Sequence, residues 1–255
     1  EIRAGAWQGR AQSLLCALML HGLHRSGWLE SVKAWICISQ FMADQLADHG
    51  CVPRDRLHVL RHSWDAMPVP PVHEDAGCYL FLGRLIPEKG VRELIAAWHD
   101  LRMQLGEATP MLQVAGDGVL AEFVRQAALD NPSICYLGHI SGTAKNDALQ
   151  RCRALVAPSL WWEPLGLMVY EAFDHAKPVL AAMSGGLSET VQHRVTGLLH
   201  PPGHVGRLVQ DVLAMESMPP EQRREMGAQG RAWLLRETAV TAWQDRFDAV
   251  LERIV

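Results

Sequence analysis

Two carboxylates and two cations stand out in this chain for the chemistry they could do together. Glu163 and Glu171 lie eight positions apart within the stretch Pro158 to Thr190. A carboxylate accepts two hydroxyl hydrogen bonds at once, so the pair suits a ligand rich in hydroxyls. Arg84 and Lys89 lie five positions apart, between Gly83 and Gly90. A planar guanidinium and an ammonium held in one loop can converge on a diphosphate. Taken singly, each has a plainer role. Arg84 and Lys89 would be solvated surface charge, Glu171 a helix-dipole glutamate and Glu163 a loop carboxylate.

Position is what makes a site of them. The apolar run Ala154 to Ala157 reads as a buried strand, and Leu160, Trp161 and Trp162 lead out of it. Pro164 and Gly166 then turn the chain into a helix over roughly Leu167 to His175, and Pro178 to Ala182 forms the next strand. Glu163 is thus expected in a strand-to-helix loop, with Glu171 on the helix that follows. In an open α/β sheet such a loop lies at the carboxyl edge of the strands, where ligands bind. The first N–H groups of the helix have no internal partner and carry the positive end of its dipole. A ligand with a phosphate and several hydroxyls fits that combination.

The remaining elements supply the same frame. Strands are expected at Cys78 to Leu82, Met111 to Ala115, Ile134 to Leu137 and Gly197 to His200. Helices are expected at Val91 to Leu105, up to Leu129, from the Gly142 region to about Arg153, and from His204 to Met218. Strands alternating with helices of this length give βαβ units and a mostly parallel sheet. Before them, a helix at Ala11 to His24, a strand at Ala34 to Ile38, a helix at Phe41 to His49 capped by Ser39, and a strand at Leu57 to Leu60 form a shorter unit. The stretch Ser63 to Gly77, with Pro68, Pro70 and Pro71, resists helix and ladder bonding and suits a boundary. Two further helices end the chain, with Trp233, Trp243 and Phe247 expected to face a core.

Composition narrows the class. Over 255 residues, apolar content is 49% and charged content 20%, as in ordinary soluble domains. A net charge of −4 without a dominant basic face argues against nucleic-acid binding. The apolar run Leu14 to Leu20 is too short to span a bilayer. Six scattered cysteines, Cys16, Cys37, Cys51, Cys78, Cys135 and Cys152, read as reduced, buried thiols of a cytoplasmic protein. No Asp-x-Asp pattern appears, and no dedicated metal site is expected. Gly116-Asp117-Gly118 lacks the third glycine of a dinucleotide fingerprint, so a nicotinamide site is not expected.

The motifs taken together resemble those of the retaining GT-B glycosyltransferases, in particular glycosyltransferase family 4, the glycosyl transferases group 1. Glu163 and Glu171 match the Glu-x7-Glu motif, and Gly83 to Gly90 matches the phosphate loop Gly-Arg-x-x-x-x-Lys-Gly. Ser184-Gly185-Gly186-Leu187-Ser188-Glu189 matches the later loop of paired glycines and a glutamate, and Thr196-Gly197-Leu198-Leu199 follows in order. The agreement runs from about Tyr79 to Pro202.

The resemblance implies an α/β fold of GT-B type. A Rossmann-like, doubly wound donor-binding domain at 78–236 would follow a partial second Rossmann-like domain at 1–66 on the acceptor side. Residues 67–77 would be the linker, and 237–255 a last helix packing back on the N-terminal part. It implies transfer of a sugar from a UDP- or GDP-sugar to a saccharide or lipid-linked acceptor in polysaccharide or glycan biosynthesis. No cofactor or metal would be needed, and the full-length protein would touch the inner face of the membrane peripherally.

By the same resemblance Gly83, Arg84 and Lys89 hold the donor phosphates, and the two cations stabilise the leaving group. Glu163 contacts the transferred sugar and favours an oxocarbenium-like state, and Glu171 binds the ribose hydroxyls. The N–H groups of Leu165, Gly166 and Leu167 face sugar and phosphate, and His139 and Ile140 lie where main-chain groups read the base. Gly116 to Gly118 is expected to let backbone approach the nucleotide. Trp161 and Trp162 either stack on a sugar or line the core, the core being the preferred reading. Two alternatives stand beside the transferase: a nucleotide-sugar-binding module with little or no activity, and a GT-B nucleotide-sugar epimerase.

Overall fold

A computed structural model describes residues 10–68 and 75–254. Its main body is a six-stranded, all-parallel sheet built from β3 (Cys78–Leu82), β4 (Met111–Ala115), β5 (Ile134–Gly138), β6 (Cys152–Ala157), β7 (Val179–Ala182) and β8 (Gly197–His200). The strand order is β5-β4-β3-β6-β7-β8. The chain therefore steps outward from β3 to β5, crosses back, and steps outward again from β6 to β8. The direction reverses between the adjacent strands β3 and β6, and crevices for ligands form outside the carboxyl ends of such a pair.

Alternation along the strands sends side chains to two covered faces. Tyr79 and Phe81 join one core with Trp98, Leu94 and Ile95 of α3 (Val91–Leu105), Val124 of α4 (Ala121–Asp130) and Val212 of α8 (Val205–Ser217). Cys78 and Leu80 join the other with Leu149 of α5 (Gly142–Arg151), Tyr170 and Phe173 of α6 (Leu167–Asp174), and Trp233 of α9 (Pro220–Thr238). Trp98 is fully buried, and its indole N–H donates to the Pro110 carbonyl at 2.9 Å, so the ring is buried with its polar atom satisfied.

A smaller unit precedes it. β1 (Trp35–Cys37) and β2 (Leu57–Val59) pair in parallel, connected by α2 (Gln40–Asp48). Ser39 caps α2, its hydroxyl accepting from the Met42 N–H at 3.2 Å. α1 (Arg10–Arg25) lies before them, and α10 (Val240–Ile254) returns alongside, with Lys33 donating to the Ile254 carbonyl at 3.0 Å. Buried Asp174 ties the connecting chain to the main body. It accepts from the Trp64 indole at 2.9 Å and from the Met67 N–H at 3.2 Å, and it pairs with Arg231 at 2.7 Å. Of the expected linker, 69–74 lies outside the described residues, as does the start of the chain through residue 9.

Several expectations need correction. Trp243 and Phe247 do not enter a core: they stack on each other with centroids 5.2 Å apart, and no residue of α10 is buried. Trp161 and Trp162 are not core residues either, being 62% and 58% exposed. Of the six cysteines only Cys37, Cys78 and Cys152 are buried; all six are unpaired. Helix α5 stops at Arg151, because Cys152 and Arg153 already belong to β6. Arg153 is tolerated there by its ion pairs to Asp75 at 2.9 Å and Glu216 at 2.5 Å. Burial alone would raise the Asp75 carboxyl, but the Arg153 hydrogen bond and charge outweigh it and hold the carboxyl below its usual range.

Candidate functional site

The loop after β3 is fixed by backbone contacts. The Gly83 N–H donates to the Ala115 carbonyl at 3.1 Å, Leu85 N–H to Asp117 at 2.8 Å, and Leu120 N–H to Leu85 at 2.9 Å. Gly116 faces the Gly83 carbonyl so closely that a Cβ would overlap its oxygen. The Gly-Asp-Gly turn thus serves to weld the loops after β3 and β4, rather than only to open space for a nucleotide. Farther along, Gly90 has φ +70° and lies against the Pro158 carbonyl, again with no room for a Cβ. The Leu160 and Trp161 N–H groups both donate to the Glu88 carbonyl, at 2.9 and 3.2 Å. The short 3-10 turn Pro87–Lys89 is therefore docked on the loop after β6.

That docking brings Lys89 to Glu163. The Lys89 ammonium hydrogen-bonds both carboxylate oxygens, one of them at 2.9 Å, and the two side chains are 15% and 8% exposed. Residues 74 apart in sequence meet because β3 and β6 are neighbours. Arg84, in the same loop as Lys89, is exposed, and its guanidinium makes no hydrogen bond or ion pair with any described residue. A cation left free beside a paired one can engage an incoming anion without first breaking an internal bond.

The loop bearing Glu163 is held from its other side. Its carbonyl accepts from the Gly186 N–H at 2.7 Å, and the Ser184 hydroxyl donates to the Trp161 carbonyl. Gly166 begins α6, and the N–H groups of Leu165, Gly166 and Leu167 donate to no described residue. These donors and the dipole of α6 open toward the same edge as Lys89 and Glu163. Glu171, one turn into α6, accepts from the Lys145 ammonium at 2.8 Å through one oxygen only. His139 is exposed in the loop after β5, while Ile140 packs partly on the second core.

Two features were not legible in the residue pattern. One is Lys145, whose partner lies 26 positions away on another helix. The other is the reach of Glu189 of α7 (Leu187–Thr190), already the glutamate of the glycine-pair motif, across to the smaller unit. Its carboxylate accepts from the Gln40 and Phe41 N–H groups at 3.0 and 2.6 Å, at the start of α2, and from Arg61 at 3.1 Å. Beside this bridge is a hollow of about 490 Å³ lined by Gln40, Phe41, Trp162, Ser184, Gly185 and Glu189. Phe41 meets Trp162 edge to face, with centroids 5.4 Å apart.

His58 and His62, on β2 and just beyond it, have His-x-x-x-His spacing. Among the described residues, however, no group of three or more His, Cys, Asp or Glu side chains is placed to hold a metal ion. Nor is any described helix long and apolar enough to cross a membrane.

Comparison with known proteins gives this arrangement a context. A family model described as "Glycosyl transferases group 1" matches residues 63–233, well over half of the chain and including every charged residue of the site named above except Arg61. Alpha-maltose-1-phosphate synthase of Mycolicibacterium smegmatis is 29% identical over 247 residues, covering 85% of this chain and 63% of the relative. A GDP-mannose-dependent alpha-(1-6)-phosphatidylinositol monomannoside mannosyltransferase of Mycobacterium tuberculosis is 32% identical over 172 residues, covering 64% of this chain and 43% of the relative. The chain thus spans from under half to just under two thirds of the length of these relatives. In fold it resembles Anabaena Alr3699/HepE in complex with UDP, with a TM-score of 0.73, 20% identity, and coverage of 87% of this chain and 64% of that one. It also resembles TarM of S. aureus, with a TM-score of 0.74, 15% identity, and coverage of 86% and 43%.

Proposed function

The chain belongs to the glycosyl transferases group 1 family and shares the GT-B type of fold, and we propose that it carries the donor side of a retaining, metal-independent sugar transfer. The donor is a nucleoside diphosphate sugar, and the acceptor a saccharide or lipid-linked sugar. The observation that carries this reading is the meeting of Lys89, Glu163 and the open N–H groups of α6 at the reversal between β3 and β6. The names of the relatives add support: one is a maltose-1-phosphate synthase, another depends on GDP-mannose.

In this reading the diphosphate takes Arg84 and Lys89, together with the N–H groups of Leu165, Gly166 and Leu167. Glu171 holds the ribose hydroxyls, and main-chain groups near His139 and Ile140 face the base. Lys89 leaves Glu163 for the phosphate, and the freed carboxylate turns to the hydroxyls of the sugar. The bond from the anomeric carbon to the phosphate oxygen breaks while the acceptor oxygen bonds to the same face of that carbon. The acceptor's proton passes to the departing phosphate oxygen. Negative charge grows on the diphosphate as it leaves, and fixed cations aimed there lower the barrier.

Residues 78–236 form the donor domain in this account and 1–66 belong to the acceptor side, with 67–77 as the linker and 237–255 as the returning helix. What supports a peripheral membrane contact is the face of α1 where Leu14, Leu15, Leu18 and Met19 stand exposed.

Incubation with UDP-glucose or GDP-mannose together with an oligosaccharide acceptor, in the presence of a chelator, tests the reaction. Release of nucleoside diphosphate with a product of unchanged anomeric configuration, by proton NMR, is the expected result. Conversion of the donor to an isomer with no nucleotide released would make the protein an epimerase and overturn the proposal.

A further inference from the structure

We propose that Lys145 is a positioning residue for ribose recognition, holding the Glu171 carboxylate so that one oxygen remains open to the 2′ and 3′ hydroxyls of the donor. The inference rests on the donor-site reading above. Its starting point is the contrast between the two carboxylates: Lys89 occupies both oxygens of Glu163, whereas Lys145 holds only Oε1 of Glu171, at 2.8 Å. Oε2 of Glu171 has no partner among the described residues. A carboxylate anchored by one oxygen keeps the other free and correctly turned, and a vicinal diol can then donate to it without first displacing a cation.

The place of Lys145 argues for a purpose beyond stability. It lies in the first turn of α5, where the positive end of the helix dipole disfavours a cation. The cap of that helix gives no help, since the Ser141 side chain makes no capping hydrogen bond. The two side chains of the pair are 32% and 22% exposed, so solvent screening reduces what the pair adds to folding. A residue that breaks a local rule for little stability gain points to a site. The geometry agrees: α5 follows β5 and α6 follows β6, so the starts of both helices lie at the carboxyl edge of the sheet, and the Lys145–Glu171 bond spans them.

The test is calorimetric titration of the chain with UDP, GDP and their 2′-deoxy analogues. The parent protein is compared with Lys145→Met, Lys145→Arg and Glu171→Gln, and each variant is checked for a cooperative thermal transition. The parent is expected to favour the ribonucleotide at least about tenfold, the scale of one hydrogen bond to a charged group. Glu171→Gln should bring that preference close to one, and Lys145→Met should reduce it several-fold while deoxynucleotide affinity changes little. Lys145→Arg should restore most of it, and should Lys145→Met fail to fold, Lys145→Gln replaces it.

A purely structural role would weaken both nucleotide types together and leave their ratio alone. An unchanged ratio in a folded Lys145→Met protein overturns this inference while leaving the donor site standing. A parent that binds nucleotide without any ribose preference overturns it equally. A folded parent that binds neither UDP nor GDP overturns the donor-site reading, and this inference with it.

Discussion

The loops at the reversal between β3 and β6 and the small unit around β1 and β2 are built in opposite ways. In the first, backbone lies on backbone: Gly90 against Pro158, Gly116 against Gly83, Gly186 donating to Glu163. Charged side chains are set into that frame, and the Lys89–Glu163 pair is nearly buried. In the second, each strand has three residues, Ile36 is 46% exposed, and α10 beside it buries nothing. Charges there lie on the outside, as where Arg54 meets Asp44 and Asp48 with its side chain 64% exposed. The two regions are joined by polar anchors, Glu189 on the start of α2 and Asp174 on Trp64 and Met67, and by apolar contacts of Phe41 with Trp162 and of Ile38 and Trp64 with the second core. A pre-formed platform of charges beside a smaller, separately built unit suits the proposed reaction between two substrates, with the donor on the platform and the acceptor on the side of the smaller unit.

Matched glycine substitutions should break the comparison most visibly. Gly90→Ala forces a Cβ into the Pro158 carbonyl at a left-handed φ, and is expected to cost more than about 3 kcal/mol by chemical denaturation, with nucleotide binding lost. Gly50→Ala has nearly the same φ, +65°, but open space around it, and should cost only about 1 kcal/mol. Equal costs would mean that the loops after β3 and β6 are no more rigid than the small unit.

Charge removal sharpens the contrast further. Lys89→Met takes away a proposed phosphate ligand and strands a buried carboxylate, so nucleoside diphosphate affinity should fall at least about tenfold and stability by about 1–3 kcal/mol. Arg54→Met should change stability by no more than about 0.5–1 kcal/mol and leave affinity as it was. Both are read from the same calorimetric and melting experiments.

Glu189→Ala probes the bridge. Losing the carboxylate at the start of α2 should cost about 1 kcal/mol locally, seen as faster amide exchange at Gln40 and Phe41, while nucleotide affinity holds. Loss of nucleotide binding in that variant would mean that the two units are not separable in the way described.

The smallest effect concerns the core beneath the site. Burial pushes the Cys152 thiol up to about 12 from a reference of 9.0. A group whose pKa is raised by folding stabilises the fold below its unfolded value and loses that contribution as pH rises toward the folded one. Melting temperature should therefore fall between pH 9 and 12, and fall less steeply in Cys152→Ala. At pH 8 a thiol reagent should label the half-exposed Cys16 and Cys51 well before Cys152.

These features differ in how far the sequence reveals them. Strands β3, β4 and β8 and helix α3 begin and end where apolar runs meet Gly, Pro or polar residues, so local pattern suffices to place them. β6 begins earlier than its apolar run because Arg153 is neutralised by Asp75 and Glu216, both far away in sequence. The four-residue α7 is too short for any periodicity to show. Arg84, Lys89, Glu163 and Glu171 stand out by type and spacing, but the Lys89–Glu163 and Lys145–Glu171 pairs arise only once the strand order is set. Trp161 and Trp162 look like core by composition, yet the Ser184 and Glu88 contacts hold the Trp161 backbone at the rim, and both rings are more than half exposed, that of Trp162 resting on Phe41.

The central claim is that Arg84 and Lys89 form a donor diphosphate site at the reversal between β3 and β6. Calorimetric titration with UDP and GDP, beside the Arg84→Ala, Lys89→Ala double variant, tests it most directly. The account predicts saturable binding of one of the two nucleotides, abolished in a double variant that still melts cooperatively. A folded parent that binds neither, or a double variant that binds as well as the parent, would contradict it.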